Sequence, residues 1–467
     1  MVEPAQRLAR QLWADATWAA VLDAIATIGS IGSIDRTDTH EPAVYVVGGT
    51  VRDLLLGRHS DDLDLAVDGP AIPLARRLAN ALGAALYPMD VERDVARVLL
   101  GPSTRGRHVD LAGLRARGIV ADLQARDFTI NAIALCPGDE AALLDPTGGR
   151  ADLDRGLLRM ASPDAFAQDP LRVLRLARLR TTLGFGVDAE TERAARWQAA
   201  RLAAVADERV RDELLAMLAL PGAADGLAYA AHLGALAGLG AAIDDADLPL
   251  LLTSLRRIAG WQALVFGGDE PQELAPHGPR LAAYWGETLA SSHPRWLFTR
   301  VALLAGACGG RAGALAMIRR LSLSRRQSEH VKGALRGAAS LSAQPRADDM
   351  AVHRYFRELG AAGVDGAVLA LSAAPSGQVV AAARAALEGW FERHAQVVAP
   401  PSLVDGQTLM RRLGLAPGPH IGRLLDAVRE AQVAGQVRTL DEALAHAARL
   451  CKPPDPDAVA AGGGETG

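Results

Sequence analysis

Lysine is nearly missing from this sequence. Among its basic residues only Lys332 and Lys452 are not arginine, a bias that fits either phosphate recognition by forked guanidiniums or the codon usage of a GC-rich genome. Cysteine is scarce too. Cys136, Cys308 and Cys451 lie far apart with no CxxC pair, which excludes a disulfide framework and a zinc site. No run reaches the roughly 18 apolar residues that cross a bilayer. The start, MVEPAQRLARQLWADATWAAVLDAIATIGS, lacks the basic head and continuous apolar core of a signal peptide, so a cytoplasmic protein is expected. A net charge of −4 argues against bulk electrostatic coating of nucleic acid and leaves room for a local basic cleft. Hydrophobic residues at 49% and charged residues at 22% are globular proportions, and 467 residues call for several domains.

Val44-Tyr45-Val46-Val47 is predicted to be a short buried strand stopping at Gly48-Gly49, with a helix over Val51 to Leu56. Leu63 to Val67 is a second strand, Ile72 to Leu82 a helix, and Val95 to Leu100 and Arg107 to Leu111 further strands. From about Ser162 the pattern turns to long Ala/Leu/Arg-rich helical periodicity. Turn-forming or polar breaks fall at Gly267 to Pro279, Ser342 to Asp349 and Ala399 to Pro401.

Two glycines between a strand and a helix let the backbone approach a phosphate, and the helix start offers free N–H groups to it. Gly48-Gly49-Thr50-Val51-Arg52-Asp53 has this form, and Asp61-Asp62-Leu63-Asp64 follows it. Asp62 and Asp64 alternate on a strand, so both carboxylates face one side and repel unless a cation sits between them. Mg²⁺ suits such a pair, because it takes one or two carboxylates plus phosphate oxygens. Two-metal phosphoryl transfer wants a further carboxylate nearby. Asp110, on the next strand candidate, is either that group or a surface residue.

GGTVRDLLLG, DDLDLAV, ARDFTINAIAL (Ala125 to Leu135), DPTGGRADL (Asp145 to Leu153), AQDPLRVLRLARL (Ala167 to Leu179) and DERVRDELLAML (Asp207 to Leu218) together resemble the class II tRNA nucleotidyltransferase and bacterial poly(A) polymerase family. The resemblance implies an α+β fold: a polymerase-β-like nucleotidyltransferase head with a mixed sheet, followed by an all-helical neck, body and tail. It implies Asp62 and Asp64 as metal ligands, and Gly48, Gly49, Arg52 and Asp53 around the nucleotide. Arg126, Asp127 and Asn131 then lie near ribose and phosphates, where Asp127 and Asn131 are acceptor and donor types suited to a ribose 2′-OH. Ala125 stands where the family usually has a second Arg.

Asp169, Arg172, Arg175 and Arg178 recur every three residues, with Pro170 at a helix start and Asp169 as its cap. By the same resemblance Asp169 and Arg172 match the pair that reads the incoming base, while Arg175 and Arg178 sit near the nucleotide. Gln168 stands where relatives commonly carry Glu. No His-Asp dipeptide occurs, so Leu297 to Cys308 resembles a helix of the HD phosphohydrolase lineage with its ligands gone. Val404 to Leu444 resembles the C-terminal part of bacterial tRNA nucleotidyltransferases, and its Pro417 to Gly422 loop either holds a phosphate or caps a helix.

The expected division is an N-terminal helical segment (1–40), head (41–161), neck (162–222), degenerate HD-like body (223–342), tRNA-binding tail (343–452) and disordered end (453–467). The expected activity is addition of CMP and AMP from CTP and ATP to a tRNA 3′ end with Mg²⁺, without membrane or DNA as partners. Poly(A) addition, CC-only or A-only addition, and a non-catalytic RNA-binding role are the alternatives. Oligomeric state is not legible.

Overall fold

A computed structural model describes residues 4–451 apart from 29, 32–42, 105, 139–140, 241–242, 245, 270, 291–292 and 374. The expected disordered end at 453–467, Lys452 and much of 29–40 lie outside the described residues. Two compact units result, one of Met1–Glu213 with Tyr229–Leu239, the other of Leu214–Ala228 with Gly240–Gly467.

The first unit opens with helices α1 (Pro4–Ala14) and α2 (Ala16–Ile28) and strand β1 (Ser30–Ile31). Asp15 starts α2 by accepting the N–H groups of Thr17 and Trp18. Next come β2 (Ala43–Val47), α3 (Gly48–Leu55), β3 (Asp62–Asp68), α4 (Ala71–Leu82), β4 (Ala85–Asp90), β5 (Val95–Leu99), β6 (His108–Gly113), α5 (Ile119–Gln124), β7 (Ala134–Cys136) and β8 (Ala142–Leu144). The strands form one mixed sheet in the order β4-β5-β6-β3-β2-β7-β8, with β1 beside β2. β3 runs parallel to β6 and antiparallel to β2.

Alternation decides what each face of this sheet does. Leu63, Leu65, Ala96, Val98, Val109 and Leu111 are buried on the face where α4 packs. On the other face Tyr45, Ala66, Leu123, Ala132 and Ala134 form a second cluster. That cover reaches only part of the sheet, and it leaves the ends of β3, β5 and β6 facing a cleft. Asp94, at positive φ in the β4–β5 turn, accepts the first N–H groups of α4 at 2.6 and 2.9 Å, fixing that helix behind the sheet. The predicted strands and helices are present within a residue or two, except that α3 begins at Gly48, three residues before the expected Val51. β1, β4, β7 and β8 are additions.

The chain continues with α6 (Gly149–Arg155), β9 (Leu157–Leu158), α7 (Ala165–Gln168), α8 (Arg172–Leu183), β10 (Gly186–Val187), α9 (Ala189–Gln198), α10 (Asp207–Leu218), α11 (Ala223–His232) and α12 (Ala235–Gly238). The β9–β10 pair is a small exception to the expected all-helical remainder. Asp169 falls in an extended link rather than one position before the helix, because Pro170 and Leu171 form a turn and α8 begins at Arg172. Its Oδ1 still accepts the Leu171 N–H at 3.2 Å, a cap displaced by about one residue.

The second unit is helical: α13 (Leu248–Gly267), α14 (Gly278–Gly286), α15 (Arg295–Gly306), α16 (Gly310–Arg320), α17 (Arg325–Ala343), α18 (Asp349–Leu359), α19 (Ala362–Ser372), α20 (Gly377–Phe391), α21 (Gly406–Leu413), α22 (Pro419–Val433) and α23 (Leu440–Cys451). α17 and α19 touch through Gly333, Gly337 and Gly366, where an added Cβ would meet neighbours at 2.6–2.7 Å. On α19 the fully buried Asp365 accepts from Tyr284, Trp285, Thr299 and His330. Burial pushes its carboxyl up, and the hydrogen bond and charge of His330 with the Thr299 and Tyr284 hydrogen bonds bring it below its ordinary value. One acid thereby ties four helices. Val404, Leu409, Ile421, Leu424, Val428 and Leu444 make a separate small core under α21–α23. Among the described residues no helix is long and apolar enough to cross a membrane.

Candidate active site

Parallel pairing sets Asp62 beside His108 and Asp64 beside Asp110, and neighbours in register share a face. His108 Nδ1 lies 3.0 Å from Asp62 Oδ1. Arg97, opposite Asp110 on β5, grips both oxygens of Asp110 through Nε and Nη2 at 2.7 Å each, so that charge is largely met. Asp64 instead faces the glycine turn, where a Cβ on Gly49 would sit 3.4 Å from its Oδ2. Burial and then the Asp110 charge push Asp64 above the ordinary carboxylate range. Burial also raises Asp62, with Asp110 adding to the effect and His108 opposing it. Two hard oxygen donors held in mutual repulsion fit a divalent cation. Among the described residues no group of three or more His, Cys, Asp or Glu is arranged to hold a metal.

The glycine turn starts α3. Gly48 adopts φ +67°, and a Cβ there would lie 3.2 Å from an Arg126 nitrogen, so only glycine leaves this corner open. Thr50 fastens the turn to β3, accepting from the Asp64 N–H at 2.9 Å and donating to the Asp62 carbonyl at 3.1 Å. Arg52 donates to Asn131 Oδ1 at 2.9 Å and to both oxygens of Asp53 at 2.9 Å. Asp53 therefore orients Arg52 and does not itself line the cleft.

Arg126 is held by Asp122 at 3.0–3.1 Å. Asp127 accepts from the Phe128 N–H, the Asn131 amide and Arg175. Burial alone would raise its carboxyl, but Arg175, Asn131 and Arg172 outweigh that and bring it to about 2. Arg175 and Arg178 both bond Glu213 of α10, each Nε at 2.8 Å. Arg172 is buried and donates to the carbonyls of Ala125, Arg126 and Ala165 at 2.9–3.1 Å. Asp169 bonds Arg209 at 2.6 Å, a contact that helps lower its pKa against burial. Asp169 and Arg172 thus share a wall without pairing to one another.

Gly48, Gly49, Arg52, Asp62, Asp64, Asp110, Arg126, Asp127, Asn131, Asp169, Arg172, Arg175 and Arg178 all line one cleft of ≈ 1420 Å³. Reading the sequence alone missed Arg97, His108, Arg209 and Glu213. Arg209 and Glu213 stand four apart in DERVRDELLAML, so they share a helix face, but nothing local names their partners.

The chain is 35% identical over 437 residues to an A-adding tRNA nucleotidyltransferase of Deinococcus radiodurans, spanning 87% of this chain and 95% of the relative. A CC-adding tRNA nucleotidyltransferase of Geobacter sulfurreducens is 33% identical over 409 residues, spanning 87% and 91%. This chain belongs to the tRNA nucleotidyltransferase family. Within it, residues 44–159 match the poly A polymerase head domain, residues 184–245 the "Probable RNA and SrmB-binding site of polymerase A", and residues 302–448 tRNA nucleotidyltransferase domain 2. The Thermotoga maritima CCA-adding enzyme solved with tRNA has the same fold, with a TM-score of 0.64 at 22% identity over 95% of this chain and 98% of that one.

Proposed function

We propose that this tRNA nucleotidyltransferase adds CMP and AMP from CTP and ATP to the 3′ end of tRNA in the cytoplasm. The observation that carries the reading is the Asp62/Asp64 pair, with Asp64 facing the Gly48–Gly49 turn, inside an arginine-walled cleft. Asp62 and Asp64 are the residues to hold Mg²⁺. Bound there, the ion supplies Lewis-acid activation of the RNA 3′-OH and neutralises charge on the departing pyrophosphate. The turn N–H groups and Arg52 bind the triphosphate. Asp127, ionised throughout the neutral range, and Asn131 orient the ribose. Asp110, held on both oxygens by Arg97, positions the strand rather than holding an ion. Asp169 presents acceptors to the amino group of cytosine or adenine.

In this reading residues 41–161 are the catalytic head, 162–222 the base-reading neck, 223–342 the body and 343–452 the tRNA-gripping tail. CC-only or A-only addition is the second reading, favoured by the names of the two relatives. The test uses tRNA transcripts ending before CCA, after C and after CC, with Mg²⁺ and single nucleotides, and sequences the products. Completion of all three to CCA supports the proposal. Extension that stops at CC, or starts only from CC, selects the second reading, and no extension overturns both.

A further inference from the structure

Trp197 is 84% exposed, more than any other large apolar side chain described. It stands near the end of α9, a helix opened by the Asp188 side chain, which accepts the Thr191 N–H at 3.0 Å. Burying such a ring is favourable by about 2–3 kcal/mol, so leaving it in water withholds stability from the fold. Arg193 lies one turn before it, Arg196 beside it and Arg201 one turn after it, all exposed. Glu192 of the same helix is occupied elsewhere, bonded to Tyr229 and His232 at 2.8 and 2.9 Å. Three exposed arginines therefore flank one bare indole along the chain, Arg193 and Arg201 each about one turn away, with Glu190 at the helix start as the nearby exposed acid.

The patch adjoins the cleft. α9 packs against α7, and Arg201 Nη1 donates to the Ala167 carbonyl at 3.2 Å, two residues before Asp169. RNA delivering its 3′ end to Asp62 and Asp64 must pass the cleft wall where Gln168, the last residue of α7, and Asp169 stand, and α9 lies against α7 next to that wall. An aromatic face among arginines suits RNA, since an unpaired base stacks on the ring while guanidiniums meet the flanking phosphates.

We propose that Trp197, with Arg193, Arg196 and Arg201, is a docking surface for the acceptor strand of the RNA substrate, on which an unpaired nucleotide near the 3′ end stacks. The proposal rests on the RNA-end addition above and concerns binding of RNA, not of the nucleoside triphosphate. Trp197 is a positioning residue.

The test compares the full-length parent with Trp197→Ala, Trp197→Phe and Arg193→Ala/Arg196→Ala. It measures the Kd for a fluorescently labelled tRNA transcript lacking CCA, the KM for CTP and kcat. Loss of one stacked base should weaken RNA binding about tenfold, with KM for CTP and kcat at saturating RNA unchanged. The Phe variant should recover most of the affinity. Removing two phosphate contacts should flatten the dependence of log Kd on log salt by about 2. An unchanged Kd in Trp197→Ala, with the parent binding and extending tRNA, overturns the docking surface alone and leaves the exposed ring to a protein partner. A weakened Kd that Phe does not recover, or a parallel loss in KM for CTP, makes Trp197 structural and also overturns it. A parent that binds tRNA without extending it defeats the proposed activity and not the surface. Failure of the parent to bind tRNA defeats both.

Discussion

Replacing Asp64 by asparagine should stabilise the metal-free protein while ending catalysis. Asp64 stands opposite Asp110 across the β3–β6 pair and shares a face with Asp62. Burial of the Asp64 charge comes first and repulsion from Asp110 and Asp62 adds to it, against relief from Arg126, so on the roughly 0.2–1 kcal/mol scale of cross-strand pairs removing the charge should gain about 1 kcal/mol. In a unit of this size that is about 2–4 °C in Tm. Asparagine keeps an oxygen to accept the Gly49 N–H that Asp64 accepts now. Because the folded carboxyl is raised above its ordinary value of 3.8, the folded state holds the proton more tightly than the unfolded chain. The group's contribution is then fully present below 3.8 and is lost as pH rises through the folded value. The gain from asparagine is accordingly largest near neutral pH and vanishes in acid. Calorimetry in EDTA across that range, beside a CMP-addition assay, measures both effects. A variant less stable than the parent near neutral pH would show that Asp64 supports the fold, and parental rates of addition would remove it from the chemistry.

Glu213→Ala strands Arg178 and leaves Arg175 with Asp127 alone, and the urea midpoint should fall by the equivalent of about 2–3 kcal/mol, less than for a fully buried pair because Arg175 is a third exposed. An unchanged midpoint would show the two arginines to be satisfied by solvent. Asp127, at about 2 against 3.8 unfolded, contributes stability above 3.8 that disappears as pH falls through 2. Asp127→Asn should therefore cost roughly 2 kcal/mol near neutral pH, with the gap closing in acid; a gap that persists below pH 2 would rule out the charge as its cause. Asp169→Ala should relax the exclusion of UTP about tenfold, the lower part of the 1–3 kcal/mol carried by a bidentate base contact. If single-nucleotide assays show unchanged selection, the base is read by other groups.

The paired carboxylates were legible because strand alternation and a glycine turn are local signals, and Asp62, Asp64 and Gly49 line one cleft as that pattern requires. Asp110 was legible only as a candidate, since its role depends on Arg97, which reaches it across an antiparallel pair that sequence spacing does not encode. His108 was hidden for the same reason, its relation to Asp62 being set by parallel register. β4 escaped notice because ALYPMD carries a proline and faces solvent, so neither alternation nor an apolar run marks it. By spacing alone the arginines of α8 form one row, and only the family resemblance set Arg172 apart from Arg175 and Arg178. Their partners distinguish them: backbone carbonyls for Arg172, Asp127 and Glu213 for Arg175, and Glu213 for Arg178. Those partners lie up to 48 residues away, and only folding assigns them.

The central claim is that Asp62 and Asp64 make this cleft a metal-dependent nucleotidyltransferase site. The direct measurement is pyrophosphate release and tRNA 3′ extension by the parent, Asp62→Ala and Asp64→Ala with CTP and Mg²⁺, with tRNA affinity measured in parallel. The account predicts that the parent extends, that EDTA stops it, and that both variants lose several orders of magnitude in rate while still binding tRNA. Extension by either variant at a substantial fraction of the parental rate would contradict it.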